Sequence, residues 1–108
     1  MKTRIMYIEE KSGENNLVGI ARIGRVKFSK TGKSIHYQGK TFTRFSGFKA
    51  NYFDVETGDV YWISGCKKNG SDRLYGERLP ILIDDDAKEE YWVNIRNIPE
   101  NKEINQIN

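Results

Sequence analysis

Hydrophobic and polar residues alternate in several short runs along the chain, which is the pattern of half-buried β-strands. In the first run, from Thr3 to Ile8, the side chains of Ile5 and Tyr7 fall on one side and that of Met6 on the other. Later runs alternate in the same way, and short segments rich in Gly, Asn and Ser separate them. Such segments favour turns, so the pattern predicts a mainly β domain.

The predicted strands follow one another closely. They lie at residues 3–8, 17–29, 34–38, 41–45, 52–55, 60–64 and 81–83, with a shorter piece at 73–75. The clearest hairpin joins the fifth and sixth strands through Glu56-Thr57-Gly58-Asp59. In the second strand the alternation changes phase near Gly24, because Ile20 and Ile23 cannot share a face. A glycine at such a change predicts a β-bulge or a sharp bend.

One segment near the C-terminus has helical periodicity. Tyr91, Ile95 and Ile98 lie roughly on one stripe of a helix, and Pro99 ends it. The three consecutive aspartates at 84–86 can cap its first turn, where acidic groups complement the positive end of the helix dipole. The pattern therefore predicts a single short helix after the last strand.

Seven short strands and one helix predict a small, strongly bent antiparallel sheet or a partly open barrel, SH3-like or OB-like, with one short C-terminal helix. The length of 108 residues fits one domain. We expect that domain to span residues 1–99, and residues 100–108, rich in Asn and charge, to form a flexible tail. Side chains fill the centre of so small a barrel, so a binding site is expected on its outer surface or in its loops.

The composition removes several classes of protein. The single cysteine, Cys66, excludes an internal disulfide and any zinc site of several cysteines, and the single histidine, His36, excludes sites that need two imidazoles. No apolar run approaches the ~20 residues that cross a bilayer, and no signal peptide is recognisable. The sequence predicts a cytoplasmic protein without cofactor, metal or membrane contact.

The net charge of +3 conceals an asymmetry between the two halves of the chain. Residues 1–50 hold 11 Lys and Arg against 3 Glu, whereas residues 51–108 hold 7 against 12 Asp and Glu. No acidic residue lies between Glu14 and Asp54. A face formed by this acid-free segment would attract polyanions. The alternative is that the two halves fold together and their charges neutralise each other across the surface.

The candidate nucleic-acid-binding residues are cations of the acid-free segment and of a second cationic loop. They are Arg25, Lys27, Lys30, Lys33, Lys40, Lys67, Lys68 and Arg73. Cations contact phosphates, and flat rings stack on bases. Most rings of the segment alternate as core residues, which leaves Tyr37 and Phe48 as candidate stacking surfaces. The alternative for the second loop is an ordinary solvated hairpin loop.

No grouping of residues predicts catalysis. The charges of Lys67 and Lys68 can lower the pKa of the Cys66 thiol, but only His36 is available as its base, and we expect no such pair. The aspartates at 84–86 can supply oxygen ligands for a hard cation. Adjacent helical residues do not face one another, however, and an acidic first helical turn explains them better. We therefore expect a protein that is not an enzyme.

Two segments of the chain, IGRVKFSKTG at 23–32 and YWISGCKKNGSDR at 61–73, resemble a family of small uncharacterised bacterial proteins. The resemblance extends from about Ile5 to Ile95 and implies a bacterial, cytoplasmic, single-domain protein. It implies no functional residues. Some members carry the label 1-deoxy-D-xylulose-5-phosphate synthase, which does not fit this chain. That reaction belongs to a large thiamine-diphosphate enzyme, and this sequence has neither the length nor a diphosphate–metal motif.

The sequence therefore favours a small non-enzymatic binding module whose cationic β-surface binds nucleic acid or another polyanion. The alternative is a protein–protein interaction module, such as an accessory or immunity-type partner, with no nucleic-acid role. Charge asymmetry and abundant aromatic residues are compatible with both. An exposed apolar patch around Trp62, Tyr75 or Trp92 would favour the alternative.

Overall fold

Eight strands and one short helix make up the part of the chain that the computed structural model describes, which is residues 2–11, 21–47, 49–72 and 80–107. The strands are β1 (Thr3–Glu10), β2 (Ala21–Phe28), β3 (Ser34–Tyr37), β4 (Lys40–Arg44), β5 (Tyr52–Asp54), β6 (Val60–Gly65), β7 (Ile81–Ile83) and β8 (Gln106–Ile107). The helix, α1 (Lys88–Glu90), continues as a π-helical turn at Tyr91–Ile95, and a 3-10 turn follows at Pro99–Asn101. The strand predicted at 73–75 lies outside the described residues.

The first six strands close into a barrel. Each pairs antiparallel with the next along the chain, and β1 pairs with both β2 and β6, which completes the ring. Three of the tight turns use glycine at positive φ, namely Gly32 at 75°, Gly39 at 77° and Gly58 at 77°, a conformation that other residues rarely adopt. The mainly β fold with a small barrel and a short C-terminal helix is thus confirmed. The finer likeness to an SH3-like or OB-like barrel stays a prediction.

Two hydrophobic cores share strand β1, which is buried on both faces. Met6 and Ile8 point into the barrel, where they join the barrel core. Ile5 and Tyr7 point outward into a second core, formed between the outer face of β1 and β2, strand β7 and the helical segment, which contributes Tyr91. The predicted alternation of β1 is confirmed, and it reflects burial on both sides of the strand.

The β-bulge predicted at Gly24 is wrong. The β1–β2 ladder is continuous and pairs Arg22–Lys27 with Thr3–Ile8 residue by residue. The change of phase arises because Ile23 faces the second core while Val26 faces the barrel core. On its other edge, β2 pairs with β7 before Gly24 and with β3 after it. Gly24 therefore marks the point where β2 changes partner.

A hydrogen-bonded group holds β7 against the barrel at this point. Tyr37 Oη donates to Asp84 Oδ2 at 2.6 Å, and Arg22 Nη1 donates to Asp84 Oδ1 at 3.2 Å. A side chain at Gly24 would overlap Tyr37 and Asp84, so this close approach requires glycine. Burial and the bond to Asp84 raise the pKa of Tyr37. The prediction of Tyr37 as a stacking surface is therefore wrong, and Phe48 lies outside the described residues.

The start of α1 also differs from the prediction. Ala87 occupies the N-cap without any side-chain hydrogen bond, so none of the aspartates at 84–86 caps the helix. The main-chain carbonyl of Asp84 instead accepts hydrogen bonds from the backbone N–H groups of Ala87 and Lys88, both at 3.0 Å. Among the described residues, no helix combines the length and the apolar character that crossing a membrane requires.

The C-terminal residues contact the second core. Trp92 Nε1 donates to the carbonyl of Ile104 at 2.8 Å, Ile107 packs against the second core, and β8 pairs with β7. These contacts extend the folded chain past residue 99, where the sequence placed the start of a tail. A short polar sequence can be ordered in this way because its backbone completes an existing sheet edge.

Candidate nucleic-acid interface

Exposed cations gather at one end of the barrel. In an antiparallel barrel whose strands follow in chain order, the starts of β1, β3 and β5 lie at the same end as the ends of β2, β4 and β6. Among the exposed cations at this end are Lys2 and Arg4 at the start of β1, Lys30 and Lys33 in the β2–β3 turn, Arg44 at the end of β4, and Lys67 and Lys68 after β6. We call these seven residues the basic rim.

Backbone hydrogen bonds join the segments that carry the basic rim. Phe28 N donates to the carbonyl of Lys2 at 2.9 Å, which fixes the first described residue against the end of β2. Arg44 N donates to the carbonyl of Lys33 at 3.0 Å, which ties the end of β4 to the β2–β3 turn. A cavity of about 600 Å³ lies between the start of β1 and this turn, with Lys2 and Lys30 in its wall. The rim is therefore built on rigid strand ends.

The ion pairs of the described residues do not include the basic-rim cations. In the described part of the chain, the ion pairs are Lys11–Glu9, Arg22–Asp84, Arg25–Glu90, Lys88–Asp85 and Lys88–Glu103. Among those residues, no member of the basic rim forms an ion pair. Like charges held together at one end of a small barrel repel one another, so this arrangement is not explained by stability.

The loop that follows β6 is organised around one buried carboxyl. Asp72 is 2% exposed, and its Oδ1 accepts a hydrogen bond from Lys67 N at 2.6 Å. Its Oδ2 has no hydrogen-bond partner among the described residues, and burial raises the pKa of Asp72. Arg96 Nε donates to the carbonyl of Lys68 at 3.1 Å. These contacts hold the loop backbone while the Lys67 and Lys68 side chains stay exposed.

The opposite end of the barrel carries acidic residues. Glu10 ends β1, and the β5–β6 turn contributes Glu56 and Asp59. Asp54 Oδ1 accepts a hydrogen bond from Glu56 N at 2.9 Å, so Asp54 shapes this turn, as its position in the sequence indicated. Lys40 lies at this end, in the β3–β4 turn. The two ends therefore present charges of opposite sign.

The structure brings together only half of the predicted binding residues. Lys30, Lys33, Lys67 and Lys68 belong to the basic rim, and Lys27 is exposed on the outer face of β2 beside it. The acid-free segment does not form one continuous cationic face, because successive strand ends alternate between the two ends of the barrel.

Of the other three predicted residues, Arg25 and Lys40 lie away from the rim. Arg25 Nη2 donates to Glu90 Oε1 at 2.9 Å and is half-buried, so its charge is already paired. Lys40 is separated from the rim by the length of β3 and β4. Arg73 lies outside the described residues. The chain distance between Arg25 and Glu90, 65 residues, explains why the pattern near Arg25 gave no sign of this partner.

Three residues of the basic rim were missed by the sequence reasoning, namely Lys2, Arg4 and Arg44. One signal could have found them. If the strands follow in chain order around a barrel, the start of the first strand and the ends of even-numbered strands share one end. The predicted strand bounds already place Lys2 and Arg4 at such a start and Arg44 at such an end.

The two groups considered for catalysis are not brought together. His36 lies on β3 and Cys66 directly after β6, and these strands are opposite each other in the six-stranded ring. His36 Nδ1 lies 3.0 Å from Thr41 Oγ1. Burial, with a smaller effect of the Asp72 charge, raises the pKa of the Cys66 thiol to about 12. The prediction that neighbouring lysines lower this pKa is wrong, because the thiol packs against the second core.

Comparison with known proteins finds no relative. The chain matches no protein-family model, no curated protein and no solved structure. The resemblance to the family of small bacterial proteins therefore stays a prediction. The function has to be argued from the geometry and charge of the chain itself.

Proposed function

We propose that this protein is a small, non-enzymatic module that binds nucleic acid through the phosphates, on the basic rim of its barrel. One observation carries the proposal: seven exposed cations share one end of the barrel, and among the described residues none of them is neutralised by an ion pair. The field of such a group attracts polyanions. The separation of Cys66 from His36 supports the non-enzymatic part of the proposal.

The layout of the rim fits a polymer better than a small anion. Its residues are carried by β6, β1, the β2–β3 turn and β4, which span four successive strand spacings around the ring. At about 4.8 Å per spacing, the cations follow an arc of roughly 19 Å around the closed ring. A single phosphate or carboxylate cannot contact groups so far apart, whereas several successive phosphates of one strand can.

The protein-interaction alternative is not favoured by the described surface. Trp92 is buried, and Trp62 packs against the second core. The exposed large hydrophobic side chains among the described residues are Val55 and Ile104, which do not form the tryptophan-centred patch that the alternative requires. Tyr75 lies outside the described residues.

A salt titration tests the proposal. Labelled single- and double-stranded oligonucleotides are titrated with the protein at low and moderate salt, with fluorescence anisotropy as the readout. About four phosphate contacts on a single strand weaken binding roughly 50-fold between about 50 and 200 mM salt, because bound counterions are released on association. Absence of binding at low salt, or binding that does not depend on salt, contradicts the proposal and makes a protein partner the better search.

A further inference from the structure

Phe28 lies at the centre of the basic rim and combines two environments. Part of its half-buried ring packs against the barrel core. Phe28 also lines the cavity of about 600 Å³, together with Lys2, Arg4 and Lys30. This volume falls within the range of about 300–1,000 Å³ that is usual for small-ligand pockets. An aromatic surface is thus presented inside a ring of cations.

The charge of this cavity sets it apart from its neighbours. Four other cavities on the described surface each contain at least one carboxylate, such as Asp84, Glu10 or Glu90. The cavity beside Phe28 has three cations and no acidic residue in its wall. It is the one of these five that attracts a phosphate-bearing ligand without also repelling it.

The wall of the cavity is held by the β2–β3 turn. Ser29 N donates to the carbonyl of Ser34 at 2.9 Å, and Ser29 Oγ accepts a hydrogen bond from Ser34 N at 3.2 Å. Gly32 closes the turn at φ 75°, and no other atom lies within 4 Å of the place where its side chain would be. The turn is therefore fixed by its own hydrogen bonds and leaves the rim open to solvent.

We infer that this cavity takes one unstacked base of a single-stranded nucleic acid, with Phe28 as the stacking surface and the phosphates on either side of that base held by Lys2, Arg4 and Lys30. The inference rests on the proposed function and adds the class of ligand. In a duplex, the faces of the bases are covered by their neighbours, so Phe28 would have no surface to contact. A single strand offers an exposed face at every base.

An abasic strand tests the inference. Oligothymidylate and an abasic oligonucleotide with the same number of phosphates are compared by anisotropy on the wild-type protein. We expect oligothymidylate to bind about 5- to 160-fold more tightly, the range for one aromatic–base contact, with the same salt dependence for both strands. Phe28→Leu keeps an apolar group against the barrel core and is expected to remove the preference. The matched control, Phe53→Leu on β5, is expected to preserve it.

The outcomes separate this inference from the proposed function. Equal binding of both strands to the wild-type protein, with strong salt dependence, overturns the base pocket and leaves the phosphate interface standing. Absence of binding to either strand overturns both. A preference that persists unchanged in a folded Phe28→Leu protein overturns the role of Phe28. If Phe28→Leu fails to fold, the comparison of the two strands on the wild-type protein still tests whether the cavity binds a base.

Discussion

The basic rim and the rest of the described surface differ in how their charges are arranged. Away from the rim some charges are paired: Lys11 Nζ lies 2.7 Å from Glu9 Oε2, and Asp84 accepts hydrogen bonds from both Arg22 and Tyr37. Acidic residues such as Glu56 and Asp59 at the opposite end form no ion pair with another described residue, but they share that end with the oppositely charged Lys40. At the basic rim, no described cation has an ion-pair partner. Paired charges fix the positions of strands and segments, whereas unpaired like charges only repel one another. The proposed function accounts for this difference by a polyanionic ligand that binds the rim.

The order of the strands explains how one sequence segment produces this difference. Within the described part of the acid-free segment, the β2–β3 and β4–β5 connections lie at the basic end, whereas the start of β2 and the short β3–β4 turn lie at the opposite end. The acidic second half of the chain then places its β5–β6 turn at that opposite end. A charge difference along the sequence thus becomes a charge difference along the barrel axis.

The largest expected effect concerns Cys66, beside the basic rim. Because burial raises the pKa of its thiol to about 12, against roughly 8.5 for a free cysteine, the thiolate fraction at neutral to mildly alkaline pH is lowered on the order of 1,000-fold. We expect alkylation of the folded protein to be slower by that order than alkylation of the denatured chain, and its rate to rise with pH throughout the alkaline range. An alkylation rate that stops rising near pH 8.5 would contradict the raised pKa of the thiol.

Charge reversal compares the two ends directly. Lys30→Glu with Arg44→Glu removes two phosphate contacts, which lowers the salt slope on single strands by about 1.4 and the affinity on the order of 50-fold at about 50 mM salt. The control, Lys40→Glu with Lys102→Glu, changes the net charge equally but lies off the rim. We expect the control pair to bind within a few-fold of wild type in the anisotropy titration. If both double variants lost the same affinity for oligonucleotides, net charge alone would govern binding.

Two glycine substitutions compare the Tyr37–Asp84 region with the basic rim. An added side chain at Gly24 meets the Tyr37–Asp84 contact, whereas the nearest atoms to one at Gly65 belong to the guanidinium of Arg4. We expect Gly24→Ala to lower the free energy of unfolding by up to about 3 kcal/mol, measured by urea denaturation. Gly65→Ala is expected to leave stability nearly unchanged and to weaken oligonucleotide binding a few-fold, since Arg4 must move. A lower free energy of unfolding for Gly65→Ala, with no change for Gly24→Ala, would contradict this comparison.

The smallest effect is expected at the Tyr37–Asp84 hydrogen bond. Tyr37→Phe removes the hydroxyl that donates to Asp84 at 2.6 Å and lowers the free energy of unfolding by about 1.5 kcal/mol, as for a hydrogen bond to a charged acceptor. Oligonucleotide affinity should not change, because this residue lies away from the rim. A variant of wild-type stability with weakened binding would reverse the roles assigned to the two regions.

The strands were predictable from the sequence because alternation and turn glycines are local signals. The pairs Ile5 and Tyr7, and Met6 and Ile8, were correctly divided between two faces, and Gly58 was placed in its turn. Closure of the barrel, the second core and the docking of residues 100–107 were not predictable in the same way, since each depends on contacts between residues distant in the chain. The change of phase at Gly24 was misread as a β-bulge for this reason, because β2 contributes Ile23 to the second core and Val26 to the barrel core.

The candidate site was less predictable than the fold. Acid-free composition pointed to Lys30 and Lys33, which lie in the basic rim. It could not separate them from Arg25, whose partner Glu90 lies in the helix, or from Lys40, which the strand order places at the other end. The sequence shows which residues are charged, but whether a charged residue has an ion-pair partner depends on the tertiary structure.

The most direct test of the central claim is to observe which end of the barrel a single-stranded oligonucleotide contacts. Backbone amide resonances of the ¹⁵N-labelled protein are followed while a short oligothymidylate is added at low salt. We predict that shifts concentrate at the amides of Lys2, Arg4, Ser29–Lys33 and Arg44, while those of the β5–β6 turn stay in place. Shifts centred on that turn, or spread evenly over the surface, would contradict the assignment of the basic rim as the binding surface.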